Sequence, residues 1–245
     1  MRRYSPGQIL VLLLIGLALL YYLFPGAFRN PSQIGRELPS QLVELAIRVV
    51  AIVLCIAVHE ANHAFVAVSL GDPTPKLMGR LTLNPIKHLD PIGTLLLFIA
   101  QFGWGKPVLF NPHNLRIDPR LGSAAVSFAG PLANVLFAMA IVWTLRLTHP
   151  ALDPVMGEFV DKLLIFNVVL AAFNLVPIPP LDGYGVVQGL LPARLAIALE
   201  PIRQYGPIIL LAAIFLPSIL GPRFDIIRPI MNPILNVILT LLKGE

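Results

Sequence analysis

His59-Glu60-Ala61-Asn62-His63 is an H-E-x-x-H pentapeptide. On a helix, residues i and i+4 share a face, so the two imidazoles can hold one Zn²⁺ between them. Glu60 sits beside the first imidazole, where a carboxylate can take a proton from an attacking water. The chemistry offered by this spacing is metal-assisted hydrolysis. The pentapeptide lies inside "VVAIVLCIAVHEANHAFVAVSLG", Val49 to Gly71, a long apolar stretch. Ionisable groups at the centre of a bilayer cost a few kcal/mol on insertion scales and are kept there for function.

A catalytic zinc takes three protein ligands and leaves a fourth position open. Of the other histidines, His88 and His113 lie in a basic loop and His149 at the far end of an apolar span. All three read as ordinary interfacial histidines. Asp182 stands in "NLVPIPPLDGYGVV", Asn174 to Val187, among prolines that break the chain directly after an apolar span. Broken helices at membrane depth are tolerated where they line a cavity. Taken alone, Asp182-Gly183 reads instead as the start of a turn. The residues themselves leave both readings open.

The elements that must position these groups are membrane helices. Of 245 residues, 56% are hydrophobic and only 13% charged, where a soluble domain carries about 25% charged residues. Apolar spans fall at residues 7–24, 42–70, 122–147, 159–177, 205–220 and 229–242. The fold class is therefore an all-α polytopic membrane protein with about six transmembrane helices. "MRRYSPGQILVLLLIGLALLYYLFPG" has an apolar core of spanning length and no small-residue cleavage site, so it reads as an uncleaved first helix. Pro91–Gly105 is too short to cross and reads as a re-entrant or interfacial segment. Prolines gather at 73–91, 107–119, 177–180 and 217–233, where helices should break or turn. No repeat, low-complexity tract or linker divides the chain, so residues 1–245 read as a single membrane-embedded domain.

The net charge of +5 reads as basic loops facing anionic lipid. No basic run with interleaved aromatics appears, which sets nucleic acid aside. Cys55 is the single cysteine, so there is neither an intrachain disulfide nor a Cys-rich metal site. It reads as a small packed hydrophobe. The segment from Gly71 to Arg120 carries Lys76, Arg80, Lys87, Lys106, Arg116 and Arg120. With six crossings, it falls on the same side as Arg2 and Arg3 and as Arg194 and Arg203. The opposite loops are less basic, which places both termini in the cytosol. The nine residues from Asn62 to Gly71 span about 14 Å of helix, so the zinc would lie inside the bilayer, nearer its cytosolic face. Glu44 and Arg48, at i and i+4 near the other end of the same helix, read as a local ion pair.

An H-E-x-x-H motif in a membrane span followed by "NLVPIPPLDG" resembles the site-2 protease family of intramembrane zinc metalloproteases. The family's N-x-x-P-x-P-x-L-D-G signature is matched at Asn174, Pro177, Pro179, Leu181, Asp182 and Gly183. "GRLTLNPIKHLDPIGT" (Gly79–Thr94), "GWGKPV" (Gly103–Val108) and "AGPLANVLFA" (Ala129–Ala138) are further matches. The resemblance covers residues 45 to 190 and implies a catalytic core at about 42–190, flanked by helices 7–24, 205–220 and 229–242. It implies His59, His63 and Asp182 as ligands to one Zn²⁺ per chain and Glu60 as general base. It also implies that Asn134 and Asn174 hold the substrate or stabilise charge in the cleft. For the two asparagines the alternative is interhelical hydrogen bonding. The loops are too short for a PDZ domain, and no CBS domain follows, so this looks like a compact form.

The implied function is hydrolysis of peptide bonds in or near transmembrane segments of membrane proteins, in a bacterial or archaeal cell membrane. The expected partners are single-span substrates, the bilayer and a separate regulatory membrane protein. Glu60 would take the proton and pass it to the leaving amine. A substrate helix must unwind to be cut, and a strand edge could capture the freed backbone. "PTPKLMGRLTL" (Pro73–Leu83) is the candidate edge, a short β segment after the H-E-x-x-H helix. The competing classes are an ion-binding transporter or channel and a catalytically inactive scaffold. The first lacks a second broken helix in a matching half, and the second has no need of Glu60.

Orientation is directly testable. In a Cys55→Ala background, single cysteines within residues 71–120 should label from the cytosol, and cysteines near Gln33 from outside. The reverse pattern would overturn the assignment.

Overall fold

The computed structural model describes residues 34–90 and 105–244. The helices are α1 (Ile34–Ser69), α2 (Thr74–Leu77), α3 (Pro119–Thr148), α4 (Pro154–Asn174), α5 (Asp182–Leu190), α6 (Ala193–Arg203), α7 (Gly206–Leu220) and α8 (Ile227–Lys243). No strand occurs among the described residues. The predicted spans at 42–70, 122–147, 159–177, 205–220 and 229–242 correspond to α1, α3, α4, α7 and α8. The predicted span at 7–24, and all of Pro91–Gly105 except its last residue, lie outside the described residues.

Two described helices are long and apolar enough to cross a membrane, through Ser40–Ser69 and Pro119–Thr148. α6 and α7 together pass the same test but bend by 74° at their junction. α4 does not qualify, because Glu158, Asp161 and Lys162 place three charges in its N-terminal half. The long apolar helices make this a membrane protein.

The chain divides into two compact units, Met1–Val50 with Leu89–Lys106 and Ala51–His88 with Pro107–Glu245. In the first, Glu44 and Arg48 form the ion pair that their spacing predicts. Leu89 and Gly105 form an isolated antiparallel bridge.

The second unit is organised around α3. Asp118 caps its first turn, accepting from the amides of Arg120 and Leu121 at 2.9 and 3.1 Å. Asp153 caps α4 in the same way, and a proline follows each cap at the first helical position. On one side Ala51, Cys55 and Leu163 close together with Phe137 and Ile141 packed on them. On another, Ala138, Val168, Ala171 and Ala172 meet Ile238 and Leu242 of α8. Small residues dominate these seams, which lets backbones approach closely.

α5 comes closest of all. A methyl group at Gly189 would stand 2.4 Å from the Arg120 carbonyl oxygen, and one at Gly185 2.3 Å from Ser127 Oγ. These two glycines, four residues apart, form the face that α5 lays on α3. Gly183 admits the turn before it, since a methyl there would stand 2.2 Å from the Leu175 carbonyl oxygen.

Beyond α1 the chain is tied down by Asp72. Its buried carboxylate accepts from Thr74 Oγ1 at 2.7 Å, the Asn111 amide at 2.7 Å and Asn114 Nδ2 at 2.9 Å. Burial alone would raise its pKa, but these donors outweigh it and hold the carboxyl below the ordinary carboxylate value. Arg116 N donates to Leu70 O at 2.7 Å, so the loop 107–117 is fastened to the end of α1 at two points.

Pro73–Leu83 is not the strand edge that its alternation suggests. Thr74–Leu77 forms a helical turn, begun by Pro73 and Pro75, with Asp72 accepting from Thr74 N. Further on, Arg80 donates to the Lys87 carbonyl and His88 Nε2 to the Thr82 carbonyl at 2.7 Å. Backbone acceptors that a ladder would use are taken by side chains, and Leu81 and Leu83 stay exposed.

Candidate metal centre

His59 and His63 project from one face of α1 with ring centroids 4.7 Å apart. Both are buried. Asp182 arrives from the first residue of α5, 123 positions from His59 in the chain, with a side chain 21% exposed. Its Oδ2 lies 3.0 Å from His59 Nε2 and 3.3 Å from His63 Nε2. One donor atom from each residue fits within a 4.8 Å group, and no other such group occurs among the described residues. Asp182 is thus not a solvent-facing turn residue.

The far sides of the rings decide what the near sides can do. His63 Nδ1 lies 2.7 Å from the carbonyl oxygen of Val126. A carbonyl only accepts, so Nδ1 carries the hydrogen and the neutral ring keeps its lone pair on Nε2. His59 Nδ1 lies 2.6 Å from Asn134 Oδ1, with the same consequence. With both rings neutral, the two Nε2 lone pairs and the Asp182 carboxylate converge on one another, a repulsion relieved by a metal cation among them or by a proton on either Nε2. Ligands bound to zinc at about 2.0–2.2 Å in a tetrahedron lie about 3.3 Å apart. The observed 3.0 and 3.3 Å fit that spacing.

Gly130 leaves the room. A methyl group there would stand 2.3 Å from His63 Nε2 and 2.7 Å from His59 Cε1. Glu60, next to His59, is half-buried and belongs to neither imidazole's hydrogen-bonding set. A cleft of about 610 Å³ runs beside the cluster's supports, lined by Val108, Phe110, Ser123, Ser127, Gly185 and Gln188 among others.

The two asparagines differ in placement. Asn134 is fully buried on α3, with Nδ2 donating to Cys55 O at 3.1 Å and to Asn167 Oδ1 at 2.7 Å. Asn174 does not join the group; its amide donates to Leu170 O of its own helix at 3.0 Å. His88, His113 and His149 also stand outside the group. Sequence reasoning missed Gly130 and Asn167. The signal for Asn167 was a lone amide in the apolar run of α4; for Gly130 it was a Gly-Pro pair in mid-helix.

Gly130→Ala should raise helix propensity by about 1 kcal/mol and still empty the centre. Metal analysis should find bound metal reduced at least tenfold (about 1.4 kcal/mol), with helix content and thermal unfolding close to wild type. Undiminished metal would show that the crowding is relieved elsewhere.

No protein-family model matches the chain, and no solved structure matches it. Curated proteins do. "Putative zinc metalloprotease YwhC" of Bacillus subtilis (strain 168) is 39% identical over 176 residues, covering 69% of this chain and 80% of that protein. "Putative zinc metalloprotease Rip2" of Mycolicibacterium smegmatis (strain ATCC 700084 / mc(2)155) is 34% identical over 175 residues, 68% of this chain and 65% of its own length. Its namesake in Mycobacterium tuberculosis (strain ATCC 25618 / H37Rv) is 32% identical over 177 residues, 71% of this chain and 68% of its own. The chain thus spans about two thirds of the Rip2 proteins. Sharing 39% of aligned residues across four fifths of a protein named as a zinc metalloprotease, this chain belongs to the site-2 protease family.

Proposed function

We propose that this protein is an intramembrane zinc metalloprotease that hydrolyses peptide bonds in or near the transmembrane segments of membrane-protein substrates. His59, His63 and Asp182 hold one Zn²⁺ per chain, and Glu60 is the general base. The observation that carries the reading is the convergence of two Nε2 lone pairs and one carboxylate, at 3.0 and 3.3 Å, on a helix of spanning length.

Bound zinc supplies Lewis-acid polarisation of the substrate carbonyl and activation of water. The remaining work falls to the chain. Glu60 takes the proton of the attacking water and returns it to the leaving amine. Val126 O and Asn134 Oδ1 hold the two imidazoles with their lone pairs inward. Asn134, with all its amide groups engaged and no exposure, acts through His59 and does not touch substrate. Asn174 retains the proposed role of steadying the substrate backbone at the end of α4. The cleft beside α3 and α5 serves as the route by which water reaches a site set within the membrane.

The topology belonging to this reading has six crossings, with Pro91–Gly105 re-entrant and both termini in the cytosol. The first and last two helices flank the core, and a separate membrane protein regulates access.

The test is cleavage of a single-span substrate in reconstituted vesicles, with metal content measured on the same samples. Glu60→Gln should lower cleavage at least about a hundredfold while zinc stays bound, since a general base contributes about 10²–10⁴. Near-normal turnover with metal in place would remove Glu60 from the mechanism. Asp182→Asn is the sharper variant, because asparagine suits a turn as well as aspartate does but lacks the anionic oxygen. Both zinc and activity should fall nearly as far as in His59→Ala. Wild-type values of both would exclude Asp182 as a ligand.

A further inference from the structure

We propose that the elbow between α6 and α7 is the backstop of the third ligand: Tyr184, Gln188 and Gly206 are positioning residues that keep Asp182 against the two histidines. The inference rests on the reading of Asp182 as a zinc ligand, and it concerns how a residue outside the H-E-x-x-H helix is kept within reach of it.

His59 and His63 need no such help, since four residues of one helix fix their spacing. Asp182 opens α5, which has nine residues, and helices shorter than about 12–15 residues are marginal on their own. Its side chain shares a face with Gly185 and Gly189, three and seven residues on, and those glycines are laid on α3. A glycine contact lets two helices come close but offers no side chain to hold them there. Tyr184 and Gln188, two and six residues on, lie about 120–160° round the helix from Asp182. Both turn to α6. Tyr184 is buried, and its hydroxyl donates to the Leu199 carbonyl. Gln188 Nε2 donates to Ala196 O at 3.2 Å and to Glu200 Oε2 at 2.5 Å. Apart from the approach of Asp182 to His59, these are the side-chain hydrogen bonds that α5 makes to another helix among the described residues.

The elbow also reaches the chain before Asp182. Gly206, the first residue of α7, lies so close to Pro179 that a methyl group there would stand 2.9 Å from its Cβ and 3.0 Å from its carbonyl carbon. From Pro179 to Gln188 the partners therefore run backwards along the chain, from Gly206 through Leu199 to Ala196. The elbow meets the segment on both sides of Asp182 and, at α5, on the face turned away from the histidines. Arg120 of α3 donates to Leu191 O at 3.1 Å, but that bond lies nine residues beyond Asp182 and past the end of α5. An α5 free to swing away would leave a two-histidine site, and the measured zinc affinity falls with the fraction of molecules in which Asp182 is in place.

The test is zinc affinity, measured by chelator competition on protein in bilayers, in a cycle with Asp182. Tyr184→Phe with Gln188→Met keeps the bulk of both side chains and removes their donors. The pair should weaken zinc binding at least about tenfold in the wild-type background and cause no further loss in Asp182→Ala. An unchanged affinity, or an equal loss in both backgrounds, would overturn the proposal, since the changes would then not act through Asp182. Gly206→Ala leaves both α5–α6 fastenings in place and should give the same pattern from the other side; it serves if the double variant does not fold. Undiminished affinity there would also count against the elbow. A second readout needs neither metal nor activity. In metal-free protein the amides of α5 should exchange hydrogen faster in each variant, while those of α1 around His59 and His63 keep their wild-type rate. Faster exchange in both helices alike would mean general loosening and would overturn the proposal. If wild type took up no zinc but α5 was released in this way, the metal reading would fail and the hold of the elbow on α5 would stand. Asp182→Ala binding zinc as tightly as wild type would remove the third ligand, and the proposal with it.

Discussion

The constraint on which the second unit depends is the convergence of three lone-pair donors, two buried and one partly exposed, within an apolar helix bundle. Polar groups out of water must each find a partner, at a cost of about 1–3 kcal/mol for every one left bare. His59 and His63 find theirs on the outer side, in Asn134 and Val126, and so must face inward as acceptors. Asp182 then faces them as a third acceptor. A metal cation bound among them relieves the cluster, as a proton on either Nε2 also would.

Holding such a group demands unusually close helices. Asp182 reaches the histidines because α5 lies on α3 with glycines at the contact, and a single methyl at Gly185 or Gly189 would push it away. Gly130 does the same for the imidazoles themselves. Glycine is a poor helix former by about 1 kcal/mol relative to alanine. Helix propensity is given up here at the positions where backbone or metal space is required. Long apolar runs in α3 and α4 compensate, and caps at Asp118 and Asp153 fix where those helices begin.

Proteolysis at membrane depth requires water where the surroundings exclude it and an extended backbone where helices are favoured. The second unit contains a cleft bordering α3 and α5, and a loop pinned to α1 through Asp72 and Leu70. The pinned loop holds the cleft's wall at Val108 and Phe110 in register with the helix carrying the two histidines.

Much of the centre was legible in sequence, and the limits of that legibility are physical. The H-E-x-x-H pair is a local object: four residues of helix bring two rings to one face whatever the rest of the chain does. The apolar spans of α1 and α3 are legible for the same reason, since length and composition suffice to place a helix in a membrane. Asp182 was not decidable from its neighbours, because Asp-Gly serves a turn as well as a helix start. Its position 3.0 Å from a residue 123 places away was decided by the glycine face of α5 on α3. Alternation in Pro73–Leu83 suggested a strand, but period two records only which side chains face which way. The prolines and the bonds made by Asp72, Arg80 and His88 determined the backbone instead. Asn134 and Asn167 lie furthest from sequence inference. An amide is a donor and an acceptor at once, so its residue type leaves the direction open. Sequence by itself determined which groups could do chemistry; the tertiary structure decided which way each one points, because hydrogen-bond direction depends on partners that only folding brings together.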